Sequence, residues 1–336
     1  IADECRRCLK VHISMYDDNL LNHLRDDPYM RIRKRCMEEI IKKTQILLTT
    51  NPLLSEYLRE LNPNVRTARI DTVVEKNELK PLPDIIHGEN ELKLVYYSND
   101  GTTKYFQAFM PEVIRKLSEY LSGIKIKIDL IGVQSVDSDL GECEISFVPH
   151  MGYTDFKSFL RNGQYVAGIS PIVTNDNFSK YKYFNKFIEY TSAGIVGIYT
   201  NAEPYTFEVV NGQNGFLCDS SSEKWVECIV NLFKSPELRL NVLREAYKTI
   251  EDKHSFSKVT EKILYDIPEL RDYESPEIPI KGMFKIKMQY RVFWIKEKVN
   301  ATLRYLKTGG VEGFINRTHK YLSTMSQISK ERNKED

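Results

Sequence analysis

The stretch Lys182-Tyr-Phe-Asn-Lys186-Phe-Ile-Glu189-Tyr-Thr-Ser-Ala-Gly194-Ile-Val-Gly197-Ile-Tyr-Thr-Asn201-Ala-Glu-Pro204-Tyr205 decides how this chain is read. Its pattern predicts an amphipathic helix ending at Gly194, then a buried strand, then a polar turn closed by Pro204. Lys182, Lys186 and Glu189 are spaced by four and three, which on a helix puts them on one face. Two ammonium groups and a carboxylate beside a strand end suit a ligand that is both phosphorylated and hydroxylated, such as a nucleotide sugar.

Strand and helix signals alternate on both sides of this stretch. Upstream, Val11–Tyr16 reads as a strand, Tyr29–Lys43 as a helix and Gln45–Thr50 as a strand. Asn51-Pro52 then starts a helix, with Asn as the cap and Pro in the first turn. Val65–Val74 is extended, and Glu75–Glu91 reads as a linker from its prolines, glycine and charges. A second series follows: strands at 92–97, 124–131, 144–148, 165–169 and 215–218, and helices at 104–121, 153–161, 222–233 and 236–253. Strands separated by helices of this length imply parallel sheets with right-handed crossovers. In such sheets ligands bind beyond the carboxyl ends of the strands. That rule places residues 98–104, 149–153, 171–177 and 201–205 on one rim.

A chain of 336 residues suggests about two domains. Its 41% hydrophobic and 28% charged residues are those of an ordinary globular protein. The net charge is only +1, but it is unevenly spread. Thirteen Lys/Arg against five Asp/Glu between Lys281 and Asp336 leave +8 on the tail and −7 on the rest. A basic tail on an acidic body is expected to face something anionic. The six cysteines, at 5, 8, 36, 143, 218 and 228, show no disulfide framework, which points to a reducing compartment. Cys5-Arg-Arg-Cys8 has CxxC spacing but no partner pair nearby, and reads as two ordinary thiols. No apolar run is long enough for a membrane span, and no signal peptide is recognisable. The chain starts at Ile1, as expected of a fragment.

Several side chains are site candidates on chemistry alone. Glu189 reads either as an acceptor for a ribose diol or as a solvated helix carboxylate paired with Lys186 or Lys182. Lys104, at a helix start after Gly101-Thr-Thr, is placed to reach a phosphate or simply to face solvent. Asp17-Asp18 at a strand end is either an acceptor-side or metal pair or simply the cap of the next helix. The six histidines lack ligand spacing, so no metal is expected. The absence of a Walker loop and of GxGxxG after a strand argues against a P-loop ATPase and a nicotinamide enzyme.

The order Phe178-Ser-Lys-Tyr-Lys182, Lys186-Phe-Ile-Glu189-Tyr-Thr-Ser-Ala-Gly194, Gly197-Ile-Tyr-Thr-Asn201, Pro204-Tyr205, Asn211-Gly-Gln-Asn-Gly215-Phe-Leu and Trp225 resembles the donor-binding domain of the group 1 (family 4-like) retaining glycosyltransferases of GT-B fold. The resemblance covers about residues 92–267. Tyr16-Asp17-Asp18-Asn19 and Ile46–Asn51 resemble the second half of that family's acceptor domain. The implied fold is α/β, with two Rossmann-like parallel-sheet domains, the first incomplete, and a C-terminal helical extension. The corresponding segments are 1–88, 89–270 and 271–336.

The resemblance implies a nucleotide-diphosphate sugar as donor, with no cofactor and no metal. Glu189 would contact the ribose, and Lys186 would act with it at the reacting end. Lys104 and Lys182 would lie near the diphosphate. Asn201, Glu203, Pro204 and Tyr205 would line the phosphates and donor sugar. Eight positions before Glu189 the family often has a second glutamate. Here that position is Tyr181, so contacts to the sugar hydroxyls fall to Asp176 or Asn177. The implied acceptor is a glycan or glycolipid in bacterial surface polysaccharide synthesis, at the inner face of the cytoplasmic membrane. Residues 281–322, with Phe293-Trp294-Ile295 among the basic residues, would either meet an anionic lipid surface or pack on the body or a partner. Nucleic acid is not an expected partner. A non-catalytic, nucleotide-binding or assembly module of the same fold is the alternative, and a nucleotide-sugar epimerase a third.

Overall fold

The alternation builds two parallel sheets. A computed structural model describes residues 11–23, 28–82, 90–98, 103–173 and 179–271. The first sheet has three strands, β1 (Ile13–Tyr16), β2 (Ile46–Thr49) and β3 (Arg66–Arg69), in the order β1-β2-β3. After β1 comes a single helical turn, Leu20–His23, and then α1 (Pro28–Lys43); α2 (Pro52–Leu61) joins β2 to β3. Asn51 caps α2 as its residue type demands: its Oδ1 accepts from the Leu53 and Leu54 amides at 2.8 and 3.4 Å.

The second sheet begins with β4 (Glu91–Tyr97). It continues through α3 (Thr103–Tyr120), β5 (Lys125–Ile131), β6 (Glu144–Val148), α4 (Tyr153–Asn162) and β7 (Ala167–Ser170). Then come α5 (Asn185–Ser192), β8 (Val196–Thr200), β9 (Phe216–Cys218), α6 (Ser222–Lys234), α7 (Pro236–Lys253) and α8 (Phe256–Asp266). All pairings are parallel and the order is β6-β5-β4-β7-β8-β9. Numbered within this sheet, that is 3-2-1-4-5-6, the doubly wound order. Every residue of β7 and β8 is buried, as expected of strands covered by helices on both faces. Alternation along β4 divides the core. Leu92, Leu94 and Tyr96 pack with Phe106, Ile229 and Leu232 on one face, while Val95 joins Phe187, Tyr190 and Ile250 on the other.

Residues 72–80 do not hang free between the sheets. The Thr72 amide donates to the Tyr183 hydroxyl at 3.1 Å, the Val74 amide to the His254 carbonyl at 2.8 Å and the Lys80 amide to the Ser192 carbonyl at 2.9 Å. Beyond α7 the chain returns to the first sheet. Lys262 on α8 meets Asp71 at 2.6 Å, Arg66 on β3 meets Glu269 at 2.7 Å, and Ile267 packs with Ile46 and Ala68.

Residues 182–205 fold largely as their pattern predicts, with one correction. Gly194 ends α5 with φ +73°, its amide bonding the Thr191 carbonyl and the Ile195 amide bonding the Tyr190 carbonyl, both at 2.9 Å. The strand that follows is buried throughout. Lys182, however, is not on the helix: Ser179–Tyr181 forms a separate 3-10 turn and α5 starts only at Asn185. The shared helical face is therefore Lys186 and Glu189 alone.

Candidate functional site at the carboxyl rim

In a 3-2-1-4-5-6 sheet the strand order reverses between β4 and β7, and the crevice outside their carboxyl ends is the natural ligand site. Tyr97 is the last residue of β4, and Glu189 lies on α5, the helix that follows β7. The Tyr97 hydroxyl donates to Glu189 Oε2 across this switch point. The Tyr97 ring is itself fixed, edge-on to Phe156 at 4.8 Å and to Tyr190 at 5.6 Å. One turn before Glu189, the Lys186 ammonium stands over the rings of Tyr96 and Tyr97, at 4.5 and 4.9 Å from their centroids.

This environment perturbs both charged groups. Burial pushes the Glu189 carboxyl up, against the pull of the Tyr97 hydrogen bond and of Lys186 and Lys157. Burial and the nearby Lys182 push the Lys186 amine down to about 7, with Glu189 opposing. A half-buried carboxylate and an amine poised near neutrality, at the switch point, are the perturbed pair expected of a binding or reacting centre. The alternative of Glu189 as a solvated carboxylate does not fit its burial or its tyrosine partner.

From Glu189 a groove of about 280 Å³ runs between α4, α5 and the 72–78 segment. Tyr153 lies at its α4 end, 62% exposed, with the Lys157 ammonium 5.4 Å from its ring centroid. Lys157 is paired with Glu78 at 2.5 Å. Sequence reading did not single out Tyr97, Tyr153 or Lys157; the strand-end rule pointed to 149–153 as a rim segment.

The other expected site residues are more dispersed. Lys104 lies exposed in the first turn of α3, its Nζ 5.1 Å from the Tyr105 ring. Asn201 is exposed and donates to Asp219 at 3.0 Å, and Glu203 is exposed. Pro204 and Tyr205 are buried; the Tyr205 hydroxyl meets Ser170 Oγ at 2.5 Å, and its ring packs on Tyr199 at 4.5 Å. The structure thus brings Glu189 and Lys186 together with Lys182 close by, and sets Tyr205 beneath the rim as packing. Asp176, Asn177, residues 281–322, Cys5 and Cys8 lie outside the described residues. Among the described residues no three His, Cys, Asp or Glu side chains converge on a metal position, and no helix is long and apolar enough to cross a membrane.

Known structures share this fold. Anabaena HepE, crystallised with UDP and glucose, superposes with TM-score 0.59 at 13% identity, covering 80% of this chain and 74% of its own. Sucrose-phosphate synthase from Thermosynechococcus elongatus gives 0.57 at 12% identity, covering 80% and 70%. The fold is GT-B. TarM of S. aureus gives 0.56 at 13% identity, covering 76% of this chain and 50% of its own. This GT-B chain therefore spans half the length of TarM and about three quarters that of HepE. No sequence-family model and no curated protein sequence matches it.

Proposed function

We propose that the chain is a glycosyltransferase that takes a sugar from a nucleotide-diphosphate donor and passes it, with retention, to a glycan or lipid-linked glycan acceptor of a bacterial surface polysaccharide. The observation that carries this reading is the pair Glu189 and Lys186 at the switch point of the larger sheet. Glu189 accepts hydrogen bonds from the ribose hydroxyls, as a carboxylate with several lone-pair sites can. Lys186 takes up a proton as the diphosphate approaches and meets its charge. Lys182 and Lys104 add positive potential, and the first amides of α5 are donors for phosphate oxygens. As the glycosidic bond breaks, negative charge grows on the departing diphosphate. Preplaced cations and amides stabilise that charge more than the ground state, which lowers the barrier. Asn201 and Glu203 belong to the rim segment that borders the phosphates and donor sugar, with Pro204 and Tyr205 packed beneath it and Asp176 assigned to the sugar hydroxyls. The reading requires no metal and no cofactor, and places the enzyme in the cytoplasm, with residues 281–322 toward an anionic membrane surface.

A second reading, a nucleotide-binding module without transfer activity, is favoured by Tyr181, which stands eight positions before Glu189 where the resembled family often has a second glutamate. One experiment separates the two. The purified chain is titrated with uridine diphosphate and assayed with UDP-glucose and UDP-N-acetylglucosamine for transfer and for donor hydrolysis. Glu189→Gln should weaken uridine diphosphate binding by roughly tenfold or more, the worth of a charged hydrogen bond. Binding with neither transfer nor hydrolysis selects the module. Absence of nucleotide binding overturns both.

A further inference from the structure

The hydroxyl of Tyr97 already occupies Glu189 Oε2. A carboxylate on a helix has three side-chain torsions to settle, and this one has competing attractions: the charges of Lys186 and Lys157 both act on it. Tyr97 has no such freedom. Its backbone pairs with Ile131 at the carboxyl end of β4, one of the sheet's inner strands. Its ring is held by Phe156 and Tyr190, with the Lys186 ammonium over its face. A rigid donor therefore meets a mobile acceptor, and the donor decides where the acceptor points.

We infer that Tyr97 is a positioning residue for Glu189, fixing Oε2 so that Oε1 is presented to the ribose hydroxyls of a nucleoside diphosphate. This rests on the nucleotide-sugar reading of the site and adds to it a residue 92 positions away, on a different element. Glu189 is then prepaid in conformation before any ligand arrives, which is the economy of a preorganised site. The selectivity that follows is for a ribose diol: a nucleotide without those hydroxyls makes no use of the pair.

The test is calorimetric titration of the full chain with uridine 5′-diphosphate and with 2′,3′-dideoxyuridine 5′-diphosphate. Wild type, Tyr97→Phe, Glu189→Gln and the double variant are compared. Phenylalanine keeps the ring contacts, so the fold is retained. Tyr97→Phe is expected to weaken the ribonucleotide about tenfold, a charged hydrogen bond's worth, and to leave the dideoxynucleotide unchanged. The double variant should bind no more weakly than Glu189→Gln alone, because both changes remove one coupled unit. Wild-type affinity in Tyr97→Phe beside a loss in Glu189→Gln overturns the positioning role and leaves the ribose reading intact. Equal weakening of both nucleotides by Tyr97→Phe marks a packing role and also overturns it. A Glu189→Gln variant that binds uridine diphosphate normally removes Glu189's ribose contact and Tyr97's role with it, while a wild-type chain that binds neither nucleotide removes the nucleotide reading itself.

Discussion

Gly168 on β7 stands opposite Gly197 on β8, and together they leave the slot in which Tyr190 and Tyr199 lie. A Cβ on Gly168 would fall 2.6 Å from the Tyr190 ring, and one on Gly197 would fall 1.7 Å from the Tyr199 hydroxyl. Tyr190 also donates to the Ile169 carbonyl at 3.1 Å, which ties α5 to the strand beneath it. Because Tyr190 follows Glu189, this seating sets the rotation of α5 and so the position of the carboxylate. Gly168→Ala is expected to cost about 1–3 kcal/mol, as overpacked cores do, and to weaken uridine diphosphate binding as well. Urea unfolding and calorimetry measure the two effects.

Lys186 sets a slope in stability against pH. Its amine is lowered from 10.5 to about 7 in the folded chain, so between those values the unfolded chain binds the additional proton. Stability therefore rises with pH across that window, by up to about 1.4 kcal/mol per pH unit from this group. Lys186→Met should flatten the slope between pH 7 and 9 and make the protein more stable at pH 7, where the wild type carries most of the penalty. Equal slopes in the two proteins would contradict the assignment.

Asp71 gives the opposite dependence at acid pH. Burial works against its charge, but Lys262 at 2.6 Å and Arg69 at 2.9 Å outweigh it, and its carboxyl is held below 3.8. A depressed carboxyl stabilises above its unfolded value, and that contribution is lost as pH falls through the folded one. Asp71→Asn should cost about 2 kcal/mol near neutrality, within the range for charge-assisted hydrogen bonds, and less near pH 3. Denaturation at the two pH values reads the difference.

The parallel-sheet architecture was legible wherever local chemistry decides. Asn51-Pro52 announces α2, because the asparagine side chain is a ready acceptor for orphan amides and proline needs none. Pro236–Lys253 begins and ends where the pattern places it. Gly194 marks the end of α5, since the backbone there turns left-handed. Lys182 was misplaced because periodicity runs on through Tyr183 and Phe184, which are buried for tertiary reasons before the helix begins. Helix α8 escaped the reading. Glu189 was visible as a charge near a strand end, but its partner was not. Nothing local to Tyr97 distinguishes it from its neighbour Tyr96, which faces the other side of the sheet. The strand-end rule puts Tyr205 on the rim with residues 201–205, but the structure turns its ring into the core, as tyrosine's intermediate burial tendency allows.

Asn51 has a second occupation. While its Oδ1 caps α2 on the first sheet, its Nδ2 donates to the carbonyls of Lys180 and Lys182 at 2.8 Å each. Those carbonyls belong to the few residues that lead into α5. One amide thus acts as a gear tooth between the small sheet and the lever that carries Glu189. Parting the small sheet from that lever would cost both of these hydrogen bonds at once, on top of the ion pairs of Asp71 and Arg66.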